Sequence, residues 1–209
     1  MGERAPLPPE QDAGARVLDV GVGSGLFEAL AQQSGLDVHA VDPSERTIES
    51  VRERLGLGEK ARAGYIQSIP FPDAHFQAVV ASEVFEHLDD ETLAGGLAEI
   101  RRVLARGGRL LGTVPAREDL ARNLVVCTDC GKRFHRWGHV QSLDTARVRA
   151  LLVPTFEPER IEERPCPPWR ILNWKGKLLD AAKLALWKMG VHGSLEWIYL
   201  RSKKSSDLG

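Results

Sequence analysis

The densest chemical signal in the sequence is Val17-Leu18-Asp19-Val20-Gly21-Val22-Gly23-Ser24-Gly25, an apolar run that passes into alternating glycines and then into a helical pattern. Gly21, Gly23 and Gly25 lack Cβ atoms where the chain turns, so backbone amides can lie against a ligand at the start of the next helix. Asp42, 17 residues beyond Gly25, ends the next apolar run, where a carboxylate can accept both hydroxyls of an unphosphorylated ribose. Together these features describe a nucleoside-cofactor site. A nicotinamide fingerprint needs its third glycine at position 26, which is Leu26 here, and no suitably placed Tyr-x-x-x-Lys pair accompanies it.

Two further groups could do chemistry. Cys127-x2-Cys130-x4-His135-x3-His139 supplies, in 13 residues, four ligands of the type and number that tetrahedral zinc takes, and a zinc-knuckle-like element is expected there. The same residues admit a set of Cys127, Cys130 and His135 with His139 or a water in fourth place, or two free thiols with His139 turned to an active site as a base. Ser82-Glu83-Val84-Phe85-Glu86-His87-Leu88 carries Glu83 and the pair Glu86-His87 just past an apolar run. Such a pair is equally suited to a solvated helix cap and to a proton-handling site.

The elements that must position these groups follow from the periodicity. Short apolar runs alternate with helical stretches from Arg16 onward, which predicts a parallel sheet wrapped by helices. Strands are expected at 16–20, 37–41, 62–66, 76–82 and 109–114, with helices at 26–33, from a Ser44 cap to about Leu55, and from Asp90 to Leu104, where Gly107-Gly108 would end it. The pattern fails from Ala116 to Leu143, so 116–143 reads as an insertion. A helix is expected at 144–152, a strand at 160–164, a stiff linker at 165–169, a helix at 177–189 and a last strand at 195–202, with Trp197 and Tyr199 on one face and Ile198 and Leu200 on the other. The organisation expected is a flexible tail over 1–15, a cofactor-binding core over 16–115, the insertion, and a completing segment over 144–209.

Composition bounds the function classes. The chain has 209 residues, a formal charge of -1 and 43% hydrophobic residues, the profile of a globular protein rather than a disordered or disulfide-dense one. The balance is uneven: 1–163 carries 19 basic and 26 acidic side chains, whereas 164–209 carries nine and three, along with four of the five tryptophans. No run of about 18 apolar residues suits a membrane span, and the first residues lack the apolar core of a signal peptide. With three cysteines, two of them too close for an ordinary staple, a cytoplasmic protein is expected. On 177–189 the polar residues occupy a stripe of about 140°, leaving a broad apolar face to be buried, to pair with a partner or to lie on a membrane surface, and of these burial is expected. Trp169, Trp174, Trp187 and Trp197 among basic residues could instead form a platform for a glycan, a lipid-linked glycan or nucleic acid.

Taken together, the glycine loop, Asp42, the Ile69-Pro70-Phe71-Pro72 turn and the Glu83–Leu88 segment resemble the class I S-adenosylmethionine-dependent methyltransferases, in the branch with LPFPD- and EVLEHL-like motifs. The resemblance covers Arg16 to Pro115. It implies a Rossmann-like sheet of seven mostly parallel strands with the last antiparallel, and helices on both faces. It also implies that Asp19, Gly21, Gly23 and Gly25 cradle the methionine part of the cofactor, that Asp42 takes the ribose, that Gln67, Ser68 and Ile69 border the adenine, and that Glu83 sits beside the sulfonium. His139 lies in a segment similar to the one preceding the late helix of this family, so Glu83, His87 and His139 are the expected catalytic residues. The expected function is methyl transfer to a small-molecule or glycan acceptor. The competing expectation is a non-catalytic module of the same fold whose zinc element contacts nucleic acid or protein.

Overall fold

The computed structural model of the protein describes residues 14–165, 173–190 and 196–205. Within them the chain runs β1 (Arg16–Val20), α1 (Leu26–Gln33), β2 (Asp37–Asp42), α2 (Glu45–Leu55), β3 (Ala61–Ala63), β4 (Phe76–Ser82), α3 (Asp90–Val103), β5 (Leu104–Pro115), β6 (Leu124–Val126), β7 (Arg133–His135), α4 (Thr145–Leu152), β8 (Phe156–Pro165), α5 (Trp174–Lys188) and β9 (Glu196–Lys204). Seven strands form one sheet in the order β3-β2-β1-β4-β5-β9-β8, and β6 and β7 form a separate hairpin. β1 pairs in parallel with both β2 and β4, whereas β9 is antiparallel to β5 and β8. The strand order therefore reverses between β1 and β4, which opens a crevice at their carboxyl ends.

Burial explains the strands. β1 is central, and Val17, Leu18 and Val20 are covered on both faces. On β9, Ile198, Leu200 and Ser202 point into the core while Trp197 and Tyr199 are half-buried, the alternation of a strand covered more on one side. The main core joins Leu18, Phe76, Ile100, Leu110, Ile198 and Leu200. Helix starts follow their caps: Ser44, Asp89, Asp144 and Asn173 each accept an amide of the first turn.

Three expectations need correction. Gly107-Gly108 does not end α3, because the helix stops at Val103 and both glycines lie inside β5, where the pairing with β4 is irregular between Phe76 and Ala78. The strand expected over 62–66 is only Ala61–Ala63, since the chain turns at once and Ser68 N–H bonds back to the Tyr65 carbonyl. The apolar face of the late helix is not buried: α5 rests on the stripe of Gly176, Asp180, Leu184 and Trp187, while Leu178 and Leu179 remain 66% and 59% exposed. Residues 166–169 of the expected linker, and Trp169 with them, fall outside the described residues, as do residues 1–13 of the expected N-terminal tail.

The Ile69–Asp73 turn is fastened from α3. The Arg102 guanidinium donates to the Ile69 and Phe71 carbonyls and to Glu99 and Asp73, and Glu99 accepts the Ile69 amide at 2.9 Å. Arg102→Ala is expected to lower stability in urea unfolding by about 2 kcal/mol, the scale of hydrogen bonds to a charged group. A loss below about 0.5 kcal/mol, the scatter of ordinary surface substitutions, would show that the turn holds without this staple.

Candidate active site

The glycine loop leaves β1 at the crevice. Gly21 has φ +86° and a Cβ there would come within 2.6 Å of Val84 Cγ2, so the loop packs directly on the segment that follows β4. Gly23 differs: φ is +53° and a Cβ would meet no protein atom within 4 Å, so the space above it is open to a ligand. Gly25 caps α1 without a side-chain bond, which leaves amides of the first turn facing the crevice. Asp42 ties the two loops together, accepting Val22 N–H at 3.1 Å and Ser44 N–H at 2.8 Å. Each of its oxygens keeps a lone pair for a hydroxyl.

Asp19 and Glu28 lie beneath this loop, 3% and 0% exposed. Burial, and then the charge of Glu28 beside it, raise the Asp19 pKa well above the carboxylate range; burial also raises that of Glu28. A cation at the loop would favour the ionised form of both carboxyls. Glu28 carried no sequence signal beyond its place on α1. Of the expected adenine neighbours, Gln67 and Ser68 are exposed at the turn, whereas Ile69 is 3% exposed with its amide taken by Glu99, so it serves the core.

The other side of the crevice is built past β4. Glu83 has φ +57°, a conformation uncommon for a residue with a Cβ, and it is held there by its amide to the Thr113 carbonyl, the Thr113 hydroxyl at 3.0 Å and the Trp197 side chain. Burial on the crevice side raises its pKa. The next turn, 85–87, places Glu86 in the interior and His87 outward. Glu86 is 1% exposed and neither of its oxygens has a hydrogen-bond partner; burial, reinforced by the Glu83 charge, pushes its pKa up to about 8.

The insertion is stitched onto that turn. Val140 and Gln141 donate their amides to the Glu86 carbonyl, and the Gln141 side chain donates to the Phe85 and Leu88 carbonyls at 3.1 and 2.6 Å. These bonds carry His139 to His87, with ring centroids 4.8 Å apart in an edge-on arrangement. The rings are oriented by acceptors. His87 Nδ1 lies 3.3 Å from the Gly138 carbonyl and His139 Nδ1 bonds the Glu118 carboxylate, so on each ring Nδ1 is the nitrogen placed to donate and Nε2 is the one left for another partner. Burial and then the neighbouring His139 lower the His87 pKa, which favours the neutral ring. Glu118 and Gln141 stood in the unpatterned stretch and were not legible as site residues.

The four expected zinc ligands are not brought together. Cys127 and Cys130 form the hairpin tip, where Gly131 N–H returns to the Cys127 carbonyl and the Cys130 and Asp129 amides lower the Cys127 pKa. His135 pairs with Leu124 at the open end of the hairpin, and the extended strand between them keeps it away from the tip. There His135 and His139 converge on Glu118 instead, with His135 Nε2 3.4 Å from its carboxylate. Among the described tryptophans of the expected platform, Trp197 bonds Glu83, Trp187 is half-buried, and Trp174 is exposed on α5.

Asp19→Asn should change how stability depends on pH. A carboxyl whose pKa is raised by folding contributes fully below its unfolded value and costs stability as pH rises toward the folded one. In the ligand-free protein, the variant and the parent should be closest in urea midpoint near pH 4, and the variant should gain on the parent toward pH 8. A gap that does not grow with pH would mean that Asp19 is ionised in the fold.

Residues 18–112 match the family described as the methyltransferase domain. A ubiquinone biosynthesis O-methyltransferase of Methylocella silvestris is 37% identical over 110 residues, which cover 51% of this chain and 41% of that protein. The chain thus matches less than half the length of this relative. An S-adenosylmethionine-dependent methyltransferase from Methanosarcina mazei superposes with a TM-score of 0.68 over 95% of this chain and 98% of its own, at 16% identity. A Burkholderia thailandensis 1,6-didemethyltoxoflavin-N1-methyltransferase, solved with S-adenosylhomocysteine, superposes with a TM-score of 0.62 over 92% and 72% at 19% identity. Residues 18–112 are thus similar to the methyltransferase domain, and the seven-stranded sheet that contains them has the fold of these solved structures.

Proposed function

We propose that the protein transfers a methyl group from S-adenosylmethionine to a hydroxyl of a small-molecule or glycan acceptor held between the glycine loop and the insertion. The observation that carries this reading is the meeting, at one crevice, of Asp42, the open face of Gly23 and the Asp19–Glu28 pair with Glu83, His87 and His139. Asp42 suits the ribose hydroxyls, the loop amides a carboxylate, and the carboxyl pair an ammonium, the three polar ends of this cofactor. The Methylocella relative is named for an O-methyl transfer, which favours oxygen as the accepting atom.

S-adenosylmethionine supplies a methyl group already activated on a sulfonium. The chain's task is alignment, an effect that reaches about 7–11 kcal/mol where two reactants are well oriented. Glu83 is held rigidly at the end of β4 by Thr113 and Trp197 and can orient the acceptor. As the acceptor oxygen bonds to the methyl carbon, the C–S bond breaks with its electron pair on sulfur and the hydroxyl proton must leave. Glu83 and the Nε2 lone pairs of His87 and His139 are the bases positioned to receive it.

Titration calorimetry with S-adenosylmethionine and S-adenosylhomocysteine tests the reading. Asp42→Ala should weaken both by roughly 10- to 150-fold, the equivalent of about 1.5–3 kcal/mol. Gly23→Ala should cost about 1 kcal/mol of stability for its left-handed backbone but reduce cofactor affinity at least tenfold. Affinity unchanged in both variants, or no binding by the parent, would overturn the proposal.

A further inference from the structure

We propose that Glu86, His87 and His139 bind a divalent metal ion beside the methyl-transfer crevice, leaving a coordination position open for an oxygen of the acceptor. The role for the acceptor rests on the methyltransferase reading; the metal site itself does not.

One donor atom from each of the three residues lies within 4.8 Å of the other two. Ligands about 2.0–2.2 Å from a common ion stand roughly 3–4 Å apart, so a small inward movement completes the set. The tautomers suit this. With Nδ1 of His87 on the Gly138 carbonyl and Nδ1 of His139 on Glu118, both rings offer Nε2 as a lone pair, and the Glu118–His139 pair is the carboxylate–imidazole arrangement that orients metal ligands. His139 is also fixed from behind, its amide donating to His135 Nδ1 at 3.1 Å.

Glu86 supplies the independent observation. Its carboxyl is 1% exposed, and neither oxygen has a hydrogen-bond partner, although carboxyls this deeply buried ordinarily have one. Two imidazoles and an unpartnered, buried carboxyl in one place bring together three ligand atoms of the kind a divalent cation takes. A set of one carboxylate and two imidazoles with positions left over suits first-row ions such as manganese, iron or zinc. Bound there, the ion would occupy the imidazole lone pairs and acidify a coordinated hydroxyl, leaving Glu83 to receive its proton. The thiols of Cys127 and Cys130, at the hairpin tip, have no part in the set.

The test uses the full chain, freed of metal with a chelator and titrated with manganese(II), followed by the loss of the free-ion electron paramagnetic resonance signal, and with zinc(II), followed by calorimetry. One ion per chain is expected. His87→Ala, an exposed position that leaves the core intact, and Glu86→Gln should each weaken binding at least tenfold, whereas Cys127→Ser/Cys130→Ser should leave it unchanged. No binding of either ion at millimolar concentration overturns the site. So does binding lost in the double cysteine variant and kept in His87→Ala, which would restore the thiol-based zinc set. Cofactor affinity measured on the same samples separates the two proposals: metal bound without any S-adenosylmethionine binding overturns the methyltransferase reading alone, and the reverse overturns the metal site alone.

Discussion

The parallel pairing of β1 with both β2 and β4 is the constraint on which the rest depends. Parallel neighbours present their carboxyl ends on the same edge, so the glycine loop after β1, Asp42 at the end of β2 and Glu83 after β4 arrive together although they span 63 residues of sequence. The contact of Gly21 with Val84 then fixes how closely the first and third of these segments approach. A side chain at position 21 would press on Val84 and part the two segments by roughly the size of a methyl group.

Charge in the crevice follows one pattern. Asp19, Glu28, Glu83 and Glu86 are all carboxyls whose pKa burial raises, and no lysine or arginine is the leading influence on any of them. Such a site is poorly satisfied by itself and is well satisfied by cations. A cofactor carrying both a sulfonium and an ammonium fits that imbalance on the loop side. The cluster around Glu86 repeats it on the insertion side.

What was legible in the sequence was what local pattern encodes. β1, α1 and β4 have the expected bounds because apolar runs and glycine punctuation are properties of adjacent residues. The four-residue zinc expectation shows where this ends. Cys127, Cys130, His135 and His139 are close in sequence, but a hairpin separates residues at its tip from residues at its base, and spacing alone does not reveal the register. Glu118 and Gln141 were invisible for the opposite reason: their roles come from contacts 21 and 56 residues away. The late helix was misjudged because an apolar face encodes amphipathicity but not which side meets the protein, and α5 turns Asp180 inward.

The insertion begins and ends at nearly the same point. Ala116 bridges Leu143, and the Arg117 amide bonds the Leu143 carbonyl at 2.7 Å. A segment whose two ends are already neighbours can be lengthened, shortened or exchanged without moving the strands of the sheet, since closing a longer loop costs only about 0.6 kcal/mol per doubling. The described residues are in this sense divisible: a parallel-stranded part similar to a methyltransferase domain, and a loop, sewn down at Glu86 and Leu88, whose length and sequence can vary on their own.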